Sequence, residues 1–87
     1  MTAVEIYTTT ICPYCVRAKA LLKKKGVAYR EMNVETDESL RESMVIRSGG
    51  RQSVPQIFID DRHVGGCDDL YALDRKGELD RLLGLAE

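Results

Sequence analysis

The spacing of hydrophobic residues changes several times along the chain, and each change marks an element. Val4-Glu5-Ile6-Tyr7-Thr8 alternates apolar and polar positions with β-branched and aromatic side chains, which predicts a strand. From Pro13 the spacing turns helical: Tyr14, Ala18, Leu21 and Leu22 share one face, and Lys23-Lys24-Lys25-Gly26 supplies a basic last turn with a glycine stop. A helix is therefore expected from Pro13 to Lys25. Val27 to Val34 reads as a second strand. Thr36-Asp37-Glu38 offers a capping residue and an acidic first turn for a helix that carries Leu40 and Met44 and ends near Ser48-Gly49-Gly50. Gln56-Ile57-Phe58-Ile59, the polar Asp60-Asp61-Arg62 and then His63-Val64 predict a hairpin of two short strands. Beyond Gly65-Gly66, Leu70 and Leu73 mark a third helix, and Leu79, Leu82 and Leu83 a short fourth.

The order βαβαββαα begins with a strand, a crossover helix and a second strand, which implies a parallel pair with a right-handed connection; the hairpin adds antiparallel neighbours. The expected architecture is α/β, a four-stranded mixed sheet flanked by helices. A chain of 87 residues has room for one core, so residues 1–87 are read as a single domain. Thirteen basic against fourteen acidic residues give a formal charge of −1, too little for broad attraction to nucleic acid or an anionic membrane, and neither partner is expected. No apolar run reaches membrane length. Met1 to Glu5 shows no basic segment leading into an apolar stretch, so the expected location is cytoplasmic.

The three cysteines carry the chemistry. Cys12 and Cys15 form a C-x-x-C pair, while Cys67 stands far away, and an odd count argues against a purely structural disulfide framework. The pair falls where a strand gives way to a helix, so Cys12 takes the helix N-terminus and Cys15 lies one turn on. Unpaired N–H groups and the positive end of the helix dipole stabilise an anion there, which favours the thiolate of Cys12. Pro13 suits the first helical position because its missing N–H needs no partner. Cys15, expected to be more buried, reads as the resolving thiol. A zinc site needs two further ligands, and only Cys67 and His63 are candidates, without a second paired spacing, so redox chemistry is the better reading. His63 reads as a hairpin residue rather than a catalytic base, and Lys23-Lys24-Lys25 as a solvated helix end.

Cys12-Pro13-Tyr14-Cys15, Ser53-Val54-Pro55 and Gly65-Gly66-Cys67-Asp68-Asp69 together closely resemble the glutaredoxin family, in the family's order and at compatible spacings over essentially the whole chain. Pro and Tyr between the cysteines are typical of its dithiol members, whereas thioredoxins typically carry Gly-Pro there. The resemblance implies the thioredoxin fold, with a cis peptide before Pro55. It implies a monomer that reduces protein–glutathione mixed disulfides and protein disulfides through Cys12 and Cys15, with glutathione as reducing co-substrate and neither metal nor bound cofactor. It also implies a glutathione groove: Cys12 forms the mixed disulfide, Tyr14 flanks it, Ser53, Val54 and Pro55 supply a backbone edge, and Cys67 and Asp68 meet the γ-glutamyl end. The start of a helix there suits a carboxylate, and the Asp68 side chain suits an ammonium. Many members carry lysine three residues before the first cysteine, where this chain has Thr9. Thr9 is kept as a candidate contact, and Arg51 or Gln52 as candidates for the glycyl carboxylate. Two alternatives compete. A redoxin fed by thioredoxin reductase would lack the groove, against Asp68 and Ser53-Val54-Pro55. Chains bridging an iron–sulfur cluster through Cys12 and two glutathiones more often carry glycine after the first cysteine, against Pro13-Tyr14.

Overall fold

The alternating segment near the N-terminus forms strand β1 (Val4–Thr8) in the computed structural model, which describes residues 2–85. Met1, Ala86 and Glu87, the ends of the unit expected over 1–87, lie outside the described residues. There follow α1 (Pro13–Lys24), β2 (Arg30–Asn33), α2 (Glu38–Arg47), β3 (Gln56–Ile59), β4 (Arg62–Gly65), α3 (Cys67–Arg75) and α4 (Glu78–Leu82), the order that the periodicity predicts. The sheet runs β2-β1-β3-β4, with β1 parallel to β2 and antiparallel to β3, and β3 antiparallel to β4. This is the expected four-stranded mixed sheet of the thioredoxin fold.

The period of two along a strand deals side chains to both faces of the sheet. Val4, Ile6, Ile57 and Ile59 pack on one side with Ala18, Leu21 and Leu22 of α1, Leu70 of α3 and Leu79 of α4. Tyr7 and Phe58 point to the other, where Met32, Val34 and Met44 of α2 cover them. Register then decides where the loops meet. Tyr7 pairs with Gln56, so β1 ends beside the start of β3, and Ile57 pairs with Gly65, so β4 ends there too. The segments after β1, before β3 and after β4 therefore converge at one end of the sheet.

Four details differ from the sequence reading. The second strand starts at Arg30 rather than Val27, because Arg30 pairs with Glu5 and the residues before Tyr29 run past the first residue of β1. Val27 and Tyr29 instead pack at the edge of the α1 core. Arg62 belongs to β4, since the hairpin turn needs only Asp60 and Asp61, both at positive φ (50° and 65°). A two-residue turn of that hand matches strand twist, and aspartate tolerates the left-handed region better than most residues. α1 ends at Lys24, with Lys25 as its C-cap. Lys25 is not a solvated end either: its Nζ bridges Asp74 of α3 at 2.6 Å and Asp80 of α4 at 2.8 Å, tying three helices together.

One ion pair closes the α2 side. Arg47 donates to Glu5 Oε1 at 2.8 Å and to the Tyr7 hydroxyl at 2.8 Å, and its guanidinium lies 4.0 Å from the Phe58 ring centroid. Both charged side chains are largely covered, and the Arg47 pKa is held above its ordinary value chiefly by the Glu5 hydrogen bond. Arg47→Ala is expected to lower stability by about 1–3 kcal/mol through loss of a charge-assisted bond and a cation–π contact. Urea unfolding checks this: the midpoint should fall at constant slope.

Candidate active site

Cys12 caps α1. Its backbone is extended (φ −149°), Pro13 follows as the first helical residue, and the Cys15 N–H donates to Cys12 Sγ at 3.0 Å. A sulfur thus occupies the position an N-cap oxygen usually takes, and the same donor and helix end face it when it is a thiolate. Cys12 and Cys15 are joined as a disulfide, with Cα atoms 5.1 Å apart, which shows that one turn of helix brings the two sulfurs together. Cys15 is buried and Cys12 partly exposed, so the first cysteine is the one open to attack from outside.

Beside the pair runs a groove of about 340 Å³ lined by Tyr14, Arg51, Ser53, Val54, Pro55, Gly66, Cys67, Asp68 and Asp69. Three converging segments build it. The first is the start of α1, which presents Tyr14. The second is the loop before β3, where the Val54–Pro55 peptide is cis, as the family resemblance implies. The third is the start of α3, whose first helical bond runs from the Leu70 N–H to the Gly66 carbonyl, leaving the preceding N–H groups unbonded within the helix. That end favours an anion such as a carboxylate.

The first of the two glycines before α3 is required by its backbone and by close approach. Gly65 has φ +121°, and a Cβ there would run into the Asp69 carboxylate, with Cγ at 2.7 Å. A Cβ on Gly66 would only make an ordinary contact, 3.4 Å from the Pro55 carbonyl oxygen across the groove.

Seven of the candidates read from sequence line this groove: Tyr14, Arg51, Ser53, Val54, Pro55, Cys67 and Asp68. Gln52 does not. It lines a separate cavity with Glu38, Arg41 and Glu42 and with Val45 and Ile46, all on α2. Thr9 is not among the lining residues either. The turn after it is drawn toward β2, where the Thr10 N–H donates to Glu35 Oε1 at 2.7 Å and Asn33 Nδ2 to Thr10 Oγ1 at 3.1 Å.

Asp69 and Gly66 belong to the groove and were not singled out as site residues. Asp69 Oδ2 accepts from the Gly66 N–H at 2.9 Å and from Arg51 Nη1 at 3.4 Å. Its place three residues after the helix cap is the spacing at which an acidic side chain reaches back to the cap N–H, a signal present in the sequence. Ser48, buried at the end of α2, holds Arg51 from behind: its Oγ accepts the Arg51 N–H and donates to the Arg51 carbonyl, both at 3.1 Å. Nothing local in the sequence signals that contact.

Comparison with known proteins agrees with this geometry. Residues 4–64 match the family model described as Glutaredoxin. Glutaredoxin 3 of Escherichia coli K12 is 60% identical over 83 residues, covering 95% of this chain and 99% of that protein. The solution structure of glutaredoxin from Brucella melitensis superposes with a TM-score of 0.84 at 53% identity, covering 100% of this chain and 94% of that one. The crystal structure of a buckwheat glutaredoxin–glutathione complex superposes with a TM-score of 0.86 at 27% identity, covering 95% and 77% of the two chains.

The third cysteine stands apart from the pair as a free, buried thiol. Burial pushes the Cys67 thiol up, the Arg17 guanidinium opposes this, and Asp68 adds to it. Cys67 is therefore protonated at neutral pH and 4% exposed. In the reduced protein, iodoacetamide at pH 7 is expected to label Cys67 more slowly than an unstructured cysteine peptide, with the difference vanishing in denaturant. Peptide mapping reads this directly; equal rates in the native protein would contradict the buried placement.

Proposed function

The chain belongs to the glutaredoxin family of glutathione-dependent thiol–disulfide oxidoreductases, and on that premise we propose that Cys12 is its nucleophile, Cys15 its resolving thiol and the neighbouring groove its glutathione site. The observation that carries this reading is the Cys12–Cys15 disulfide at the N-terminus of α1, with Tyr14 between them forming a rim of the groove. The glutathione held by the buckwheat relative supports the choice of ligand.

In the proposed cycle the Cys12 thiolate attacks the glutathionyl sulfur of a protein–glutathione mixed disulfide. The Cys12–glutathione bond forms as the old S–S bond breaks, and the protein leaves as its thiolate. The thiolate of a second glutathione then attacks the same glutathionyl sulfur, giving glutathione disulfide and free Cys12. The groove holds the tripeptide: the Val54 backbone pairs with it, the N-terminus of α3 takes the γ-glutamyl carboxylate, Asp68 meets its ammonium, and Arg51 meets the glycyl carboxylate. With a protein disulfide, Cys12 first bonds to the substrate and Cys15 displaces it, closing the internal disulfide. Action as a monomer in the cytoplasm, where glutathione is kept reduced, completes the reading.

Cys15→Ser is expected to retain glutathione-dependent removal of glutathione from a glutathionylated peptide, because free glutathione resolves that intermediate. It should lose most reduction of a protein disulfide, where Cys15 supplies an oriented neighbouring thiol with an effective concentration of roughly 10⁵ M or more in favourable cases. Cys12→Ser should abolish both. Paired assays with glutathione reductase and NADPH measure this, and equal loss of both activities in Cys15→Ser would favour reduction by thioredoxin reductase instead. Asp68→Ala should raise the apparent KM for glutathione about fivefold, the worth of one exposed charge-assisted contact of ~1 kcal/mol, with folding unchanged. An unaltered glutathione dependence would remove Asp68 from the site.

A further inference from the structure

Gln56 is the first residue of β3 and fully buried, directly after the cis peptide. A buried primary amide needs a partner for each of its polar atoms. Gln56 Nε2 donates to the Ser53 carbonyl at 3.0 Å and lies 3.4 Å from Ser53 Oγ. That leaves Oε1 as an acceptor, 2.7 Å from His63 Nε2, so the proton between them sits on the imidazole. The His63 ring is itself fixed, tilted against Phe58 with centroids 5.0 Å apart. Burial holds its pKa below the ordinary value, the Arg51 charge pushes the same way and Asp69 opposes, so at neutral pH it is the uncharged Nε2–H form. A directed chain results, from the His63 N–H to the Gln56 amide oxygen and from the Gln56 amide N–H to the Ser53 carbonyl.

The chain ends on the peptide that matters for the groove. The Ser53 carbonyl and the Val54 N–H belong to one planar trans peptide and point in opposite directions. Pinning the carbonyl inward on Gln56 aims the Val54 N–H outward, and among the described residues that N–H has no hydrogen-bond acceptor in the chain. We propose that Gln56 and His63 are positioning residues for glutathione, fixing through the Ser53–Val54 peptide the free N–H that pairs with the tripeptide backbone. The proposal rests on the groove being the glutathione site.

The test uses Gln56→Met, His63→Leu and the conservative His63→Gln, whose amide nitrogen takes the place of Nε2–H. Each is assayed for turnover of a glutathionylated peptide with glutathione and, separately, of the same peptide capped by 2-mercaptoethanol with 2-mercaptoethanol as the reducing thiol, a monothiol without the peptide groups, so that the tripeptide enters the groove in one assay only. In Gln56→Met and His63→Leu, kcat/KM for the glutathionylated peptide is expected to fall about tenfold, the size of one lost hydrogen bond, with the 2-mercaptoethanol rate and the pH profile of Cys12 alkylation unchanged. His63→Gln should recover most of the loss. Equal losses with both thiols, or an unshifted glutathione preference in His63→Leu, would overturn the positioning role while leaving the groove intact. A wild-type protein with no preference for glutathione over 2-mercaptoethanol would overturn the groove reading, and this proposal with it.

Discussion

Ile6, Ile57 and Ile59 fill one face of the central strand pair while Tyr7 and Phe58 fill the other, and helices cover both. A sheet pair buried on both faces cannot slip by one residue, because every side chain would exchange its helix-facing environment for the opposite one. Fixed register places Tyr7 opposite Gln56 and Ile57 opposite Gly65. The cysteine turn, the loop with the cis peptide and the start of α3 are therefore neighbours although they come from distant parts of the chain. The site is a consequence of how the core aligns its strands.

The electrostatics of that end rest on backbone rather than on excess side-chain charge. The chain as a whole is nearly neutral, with a formal charge of −1. Two helix N-termini face the site, one capped by Cys12 and one by Gly66, each leaving N–H groups without helical partners. Arg51 adds a cation, yet it lies against Asp69, half exposed on both sides, where an ion pair contributes little to stability. Its value is placement: Ser48 holds its backbone and Asp69 its head group. A groove of this kind suits a small zwitterion with carboxylates at both ends better than a polyanion.

Buried polar groups are grouped rather than scattered, and each group joins elements that the core alone leaves free to shift. Thr8 donates to Glu31, which also pairs with Lys19, linking β1, β2 and α1. Arg47 links α2 to β1 and the hairpin through Glu5 and Asp61. Gln56 links β4 to the loop before β3. Each satisfies its polar atoms locally, as burial demands, and only the last reaches the groove.

The chain by itself determined whatever depends on near neighbours. Alternation set β1, a helical apolar stripe and Pro13 set α1, Asp37 capped α2, and the hairpin announced itself by its aspartates. The cysteine pair and the two loop motifs were legible as a site for the same reason, since each is a short segment with its own chemistry. The tertiary structure decided what depends on partners far away in sequence. The register with β1 shortened β2, Lys25 became a clamp between helices, and Gln52 came to lie against α2 while Arg51 entered the groove. Asp69, Ser48 and the Gln56–His63 pair acquired their roles only when strand pairing brought distant segments within hydrogen-bond reach. A hydrogen bond forms only within a few tenths of an ångström of its ideal length, and a sequence pattern fixes the face of an element but not distances of that order between elements.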